Sequence, residues 1–367
     1  MALTQRTPHS MPEFITRLAV TLGALAIYRL GTHLPLAGID QAALVNLYRG
    51  SGSALAVERI SVFSLGVTPI ISTLLLVEVA RLASSRFNDW AGATLANARL
   101  VDHYVLIGSL LLAAMQGYGI ATGLEEARNL VEEPGPQFRL LVVTTLVAGT
   151  ALLVWLAALI SRYGLGSGVW ILLLAPHLAG LPSFAARLME AVRSGVLSQG
   201  DLVAALVCGL IALVILAALA RAVAGSGMPL DRTLVWPLFI AVVPTSVLVF
   251  VPWLFPAGPI RHTAAAFLSR GAPLYLAALA AFVIVISLAQ WGRVETRPIA
   301  MAEPPSAPAG AVGASLGVLT AITLAAVTVV PELLRTQFNI VVLINGPLIT
   351  VTVAIAVAMQ DLLRRQA

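Results

Sequence analysis

Lysine is missing from this chain altogether: all 22 basic residues are arginine. A lysine Schiff base and a Walker-type phosphate loop both need that amine, so both are excluded. Cysteine is nearly as scarce. Cys208 stands alone inside an apolar run, which rules out a disulfide framework or a multi-cysteine metal site and leaves a packed core residue. The histidines His9, His33, His103 and His262 carry no metal-ligand spacing, and there is no HExxH. Ser167 and His177 are ten residues apart with no supporting motif, so neither form of intramembrane protease is built here. The expectation is a protein with no catalytic chemistry of its own, no cofactor and no metal.

Charge of either sign is thin as well, at 11% of 367 residues, while 59% are hydrophobic and the mean hydropathy is +0.94. That balance belongs to an integral membrane protein. A span takes about 20 apolar residues. The apolar runs predict ten, at 12–34, 66–84, 101–123, 139–161 and 168–186, then 200–221, 235–256, 272–291, 308–331 and 339–362. The fold class is therefore all-α and polytopic, with no room for a sizeable soluble domain. The first run lacks a small-residue cleavage site and reads as a retained helix. Between spans lie 35–65, rich in Gly and Ser near Gly50 to Ser53, the acidic 124–138, and the Pro- and Ala-rich GRVETRPIAMAEPPSAPAG.

Arginine sets the orientation by a narrow margin. With the N terminus inside, eleven arginines (6, 81, 86, 99, 162, 221, 232, 293, 297, 364, 365) fall on the cytoplasmic side and nine (49, 59, 128, 139, 187, 193, 261, 270, 335) on the other. Arg364 and Arg365, with the even span count, favour both termini cytoplasmic. Five spans plus five suggest an internal repeat. FSLGVTPIIS (63–72) aligns with LFIAVVPTSV (238–247), setting Gly66 against Ala241 and Pro69 against Pro244. Both segments are the second span of their half, 1–190 and 191–367.

Glu58 to Leu82, ERISVFSLGVTPIISTLLLVEVARL, is a membrane helix spoiled in its first third by Gly66 and Pro69. A backbone that loses its own hydrogen bonds in lipid must be sheltered by protein or line a wet cavity. The stretch is thus a candidate pore lining.

Four blocks make the chain specific. YRLGTHLPLAGID (28–40), SGSALAVERISVFSLGVTPIIS (51–72), QGYGIATGL (116–124) and WLAALISRYGLGSGVWILLLAPHLAGLP (155–182) resemble, in order and spacing, the SecY family, the protein-conducting channel of the Sec translocon. The second half joins more thinly, through VVP in the seventh span and NGPLITVTVAIAVAMQDL at the end.

The resemblance implies a clamshell of two inverted five-helix halves around a polypeptide pore. It would translocate unfolded secretory polypeptides and release membrane helices sideways into the bilayer. It also implies a plug at about 52–63, with Gly52, Ser53, Ala54, Leu55, Arg59 and Ser61, though Gly50 to Ser53 also fit a plain exterior loop. The lateral opening lies between the second and third helices and the seventh and eighth, where Glu78 and Gln116 stand. A pore that passes chains yet holds back ions needs a dewetting waist of bulky apolar side chains. By motif match its ring is Val67 and Ile71, then Val169 and Leu173, each pair four apart on one helix face. In the seventh span the match falls on Ser246 with Val247 beside it, and Val351 in the last span is assigned to the ring without a motif. Read without the family, these are ordinary core or lipid-facing positions.

Partners follow from the resemblance too: the translocating polypeptide, SecE and SecG, and SecA or the ribosome, in the bacterial cytoplasmic (inner) membrane. The cytoplasmic loops that dock the last two are cut down here to ALARAVAGSGMPLDRT and to Arg297 with Pro298. Arg221, Arg232, Arg293 and Arg297 are either what remains of that docking surface or positive-inside anchors. Glu78 departs from the Gln usual in this family's gate helix. It reads either as an interfacial ion pair with Arg81, three residues on, or as a gate made more polar. Gly119 and Gly123 offer a small-xxx-small contact. The rival function is a secondary transporter, which also uses inverted repeats. It calls for intramembrane ionisable residues around a compact site, and Arg29, Glu78, Asp102 and His103 do not build one.

Overall fold

The computed structural model describes residues 11–40, 60–126, 130–195, 198–226, 230–244, 272–295 and 311–337, with 228, 262, 265–267 and 269 besides. These residues are helices and turns with two isolated bridges. The helices are α1 (Met11–Gly31), α2 (Thr68–Ala83), α3 (Ser85–Ala93), α4 (Leu95–Glu126), α5 (Pro136–Tyr163), α6 (Gly168–Arg193), α7 (Gln199–Gly225), α8 (Pro273–Glu295) and α9 (Ala311–Gln337). A π-helical turn, Asp231–Val235, leads into helical residues 236–244.

Among the described residues six helices, α1, α4, α5, α7, α8 and α9, are long and apolar enough to cross a membrane. The second span is shorter than the sequence predicts. Only 16 residues of it are helical, about 24 Å, less than a hydrocarbon core of about 30 Å. The tenth expected span and the last part of the seventh lie outside the described residues. The short α3 was not expected. Ser84 starts it by accepting the Phe87 N–H at 3.3 Å, and Thr94 caps the next helix by accepting that of Asn97 at 3.1 Å.

The chain divides into two compact units, Met1–Ala175 and Pro176–Ala367, within α6 rather than at its end. In the first, α4 is the central post, with α2, α3 and α5 packed on it and α1 on α5. Its buried face carries Ser109, Ala113, Gly117 and Ala121 at every fourth position. Small residues let backbones approach where lipid supplies no hydrophobic drive between helices. A β-carbon at Gly117 would stand 3.4 Å from Leu146 Cδ1 and 3.5 Å from Val143 Cα. One at Gly108 would stand 2.8 Å from Thr73 Cγ2 of α2. The opposite face, Leu100, Tyr104, Ile107, Leu111, Met115 and Tyr118, is exposed and apolar, as a lipid-facing stripe must be.

The SRYGLGSG turn joining α5 to α6 is closed by side chains. Gly166 takes φ +73°, which favours glycine. The Leu165 N–H donates to Thr21 Oγ1 of α1 at 2.9 Å, and the Gly168 N–H donates to Ser161 Oγ at 2.8 Å. Thr21 Oγ1 in turn donates to the Arg17 carbonyl at 2.9 Å. A side chain on Gly168 would run into the Ala157 backbone. In the second unit α8 packs on α9, and both meet the π-helical turn, while α7 touches α9.

Two outcomes follow for thermal unfolding of the purified protein in detergent. Leu146→Ala, which empties a fully buried site between α4 and α5, costs about 2–4 kcal/mol and lowers the midpoint. Thr21→Val keeps the shape but leaves the Leu165 N–H without its acceptor, costing about 1–3 kcal/mol, whereas Thr21→Ser keeps the hydroxyl and stays near wild type.

Candidate functional site

The spoiled third of the second span is a run of turns rather than a bent helix. From Ile60 to Val67 the chain closes Ser64 N–H to Ser61 O at 3.0 Å, Gly66 N–H to Phe63 O at 2.8 Å and Thr68 N–H to Leu65 O at 3.2 Å. Gly66 sits at φ +54°, the conformation that makes the break possible. Pro69 does not kink a helix, because it occupies the first turn of α2 where no N–H is needed. The carbonyl of Pro69 accepts the Thr73 hydroxyl at 2.8 Å.

Shelter for this backbone comes from the chain leaving α1. The Leu36 N–H donates to Ile60 O and the Val62 N–H to Leu34 O, both at 3.0 Å, so that Pro35 and Ser61 form an antiparallel bridge. Phe63 stacks on Tyr28 with centroids 5.9 Å apart and lies over Gly31, where any side chain would collide with its ring. The Val62 carbonyl comes up against Gly149 of α5, another position with no room for a β-carbon.

The same strap, 34–40, is tied at its other end. The Asp40 N–H donates to Leu130 O at 3.0 Å and the Glu132 N–H to Gly38 O at 3.2 Å, with Gly38 at φ +83° against Phe138. Leu36, Ile39, Ile60, Ala121, Leu130, Phe138, Val142 and Leu146 close a small core beneath it. Glu125 locks the loop above by accepting the Gly135 N–H at 2.8 Å and Arg139 Nε at 2.7 Å.

The expected ring residues Val67 and Ile71 are brought together here. Val67 is the N-cap of α2, Ile71 donates its N–H to the Val67 carbonyl at 3.0 Å, and both side chains are buried. Val169 and Leu173 lie one turn apart and half-buried on α6, past the GLGSG turn. Ser61, expected in the plug, is fully buried in the bridge. Gly52, Ser53, Ala54, Leu55 and Arg59 lie outside the described residues, as do Val247, Val351 and Arg297.

Glu78 is buried near the far end of α2, with Arg81 Nε 3.6 Å from its carboxylate, the pairing that the spacing predicts. Gln116, half-buried on α4, has a buried Oε1 with no hydrogen-bond partner among the described residues. Arg221 is exposed at the end of α7, while Arg232 and Arg293 are half-buried. No group of three His, Cys, Asp or Glu is placed to hold a metal among the described residues. Thr21 and Ser161 were missed from sequence. Ser161 is flagged by a glycine-rich turn that leaves N–H groups in need of acceptors, whereas nothing links Thr21 to a turn 144 positions later.

Known proteins resemble this chain. The family profile described as SecY matches residues 61–229, from the sheltered turns through α7. The protein translocase subunit SecY of Escherichia coli K12 is 34% identical over 206 residues, 52% of this chain and 46% of that protein. The same subunit of Buchnera aphidicola subsp. Acyrthosiphon kondoi is 34% identical over 206 residues, 52% of this chain and 57% of that protein. The chain thus spans about half the length of the curated relatives it matches. Among solved structures, a SecY whose plug domain is described as stabilising the closed translocation channel aligns with TM-score 0.57, over 99% of this chain and 95% of that one, at 14% identity. Sec61 from the canine ribosome–channel complex of the endoplasmic reticulum aligns with TM-score 0.56 at 15% identity, with the same coverage. These two likenesses establish an all-helical fold of the SecY and Sec61 type. Over residues 61–229 this chain is similar to the SecY family.

Proposed function

We propose that this protein is a membrane-embedded, protein-conducting channel subunit that passes unfolded secretory polypeptides and releases membrane helices laterally. The observation that carries it is the sheltered break at 60–67, because it stands at the head of the segment matched by the family. In an ordinary bundle such a break is a liability. A pore that must seal without a solid wall has a use for it, since a short half-span brings apolar side chains to mid-membrane depth on a braced backbone.

On this reading Val67, Ile71, Val169 and Leu173 form part of the apolar waist, with Val247 and Val351 completing it from the second half. The ten-helix, inverted-repeat architecture and a plug drawn from 52–63 belong to the same proposal, as do Glu78 and Gln116 at a lateral gate. Val67 and Ile71 are buried, which suits a closed waist whose residues pack on one another when no chain passes. The protein drives nothing by itself. The translocating polypeptide is its client, SecE and SecG are its bracing partners, and SecA or a translating ribosome supplies the force. Arg221, Arg232, Arg293 and Arg297 are the charges offered to an acidic surface or to ribosomal RNA phosphates. The setting is the bacterial inner membrane with both termini cytoplasmic. No observation favours a small-solute transporter.

Crosslinking tests the waist. With Cys208 replaced, cysteines at Val67 or Ile71 are expected to form adducts with a translocation-arrested secretory chain, while a cysteine at lipid-facing Leu111 does not. Capture of the arrested chain only by the host translocon, with none at Val67 or Ile71, overturns the reading.

A further inference from the structure

In the second unit the end of α8 lies against the start of α9, and the π-helical turn Asp231–Val235 packs on both helices. Ser287, Gln290 and Trp291 share one face of α8, three and four residues apart, and are 2%, 3% and 4% exposed. Each buries a donor, Ser287 Oγ, Gln290 Nε2 and Trp291 Nε1, that meets no acceptor among the described residues.

Most buried hydroxyls elsewhere among the described residues behave differently, Ser64 Oγ being a lone unpaired one. Thr73, Ser109, Thr150 and Thr320 all donate to the carbonyl four residues back. Three unpaired donors on a single helical face are a concentrated deficit, since a buried unsatisfied donor costs its full desolvation while a paired one costs little.

Two further features belong to the same helix pair. A π-helical turn is rare and commonly accompanies a functional distortion of a helix. The contact between α8 and α9 there also rests on a notch. Gly317 of α9 seats the Trp291 ring, and a β-carbon on it would stand 2.8 Å from Trp291 Cγ. A flat ring on a bare backbone has no side chain of α9 interlocked with it at that point and can part without repacking.

We propose that this end of the α8–α9 contact is a separable, water-admitting seam. Closed, it gains apolar contact and leaves three donors unsatisfied. Parted, with the first turns of α9 off α8, it loses that contact and water satisfies all three. The two states are thereby held close in energy, and any hydrogen-bond acceptor that reaches this face favours the parted one. The seam does not depend on the channel reading, and neither measurement below uses transport.

The test uses the full chain in lipid nanodiscs. Ser287→Ala and Gln290→Leu, singly and together, each delete a donor at nearly constant shape. The expected result is a raised unfolding midpoint and amide exchange slowed about tenfold over 287–295 and 313–320 in the combined variant, with each single change moving part of the way. Val285→Ala, on the exposed face of α8, leaves exchange at the seam unchanged. A lowered midpoint in the single variants, or exchange that does not slow, means that the donors are already engaged in the folded state, and overturns the proposal.

Discussion

A backbone that leaves the helix inside an apolar surround has to find partners for its N–H and C=O groups, and the first unit is organised around that demand. The turns at 60–67 are the place where it arises. They satisfy part of it by i to i+3 bonds and part by pairing with 34–36. That pairing forces the chain leaving α1 to lie as a strap across the ends of α4 and α5, and its other end then has to be tied to 130–132. Phe63 over Gly31 and Val62 against Gly149 show how near the surrounding helices must come to exclude lipid from the break. Gly31 of α1 and Gly149 of α5 are consequences of the break before α2.

Close approach is also what makes α4 a post rather than a strut. With small residues at 109, 113, 117 and 121, its contribution to packing is mainly surface for others to press on. The bulk comes from α5, where Val142, Leu146, Leu153, Leu156 and Ile160 keep a helical spacing on one buried face. Dispersion across a tight contact replaces the hydrophobic drive that lipid cannot supply. The length of α4, 32 residues and about 48 Å, carries both its ends past the hydrocarbon layer. One end meets α3, and the other is fastened by Glu125 to Gly135 and Arg139.

Apolar run length made most spans legible in the sequence, because the bilayer imposes one length on every crossing. Gly66 and Pro69 likewise announced a break, since few other reasons place both inside an apolar run. The sequence did not reveal how the break would be housed. Pro69 reads as a kink from position alone and becomes a helix start only once Val67 is known to be the cap. The bond from Leu165 to Thr21 joins residues 144 apart, and a threonine in an apolar helix has many uses. The helix α3 was invisible for a different reason: Asn88 and Ala91 are its buried positions, too small and too polar to leave a hydrophobic period. The pairing of Glu78 with Arg81 was legible because it is local, and the packing of Phe63 was not because it is not.

Buried polar groups are handled in two ways in this chain. In the first unit, the strap, the α5–α6 turn and the Glu125 lock pair their backbone N–H groups, which holds the elements around the break in one arrangement, while Ser64 Oγ and Gln116 Oε1 are single unpaired atoms on separate elements. In the second, α8 buries three donors on one face without acceptors, beside a π-helical turn and over a glycine notch. A fully satisfied polar network specifies one structure, whereas an unsatisfied one favours any state that lets water or an acceptor in. The break in α2 needs rigidity, because a lapse there would expose bare backbone to lipid. The three donors gathered on one face of α8 are the concentrated case, and a deficit of that kind is tolerable only where water can come within reach.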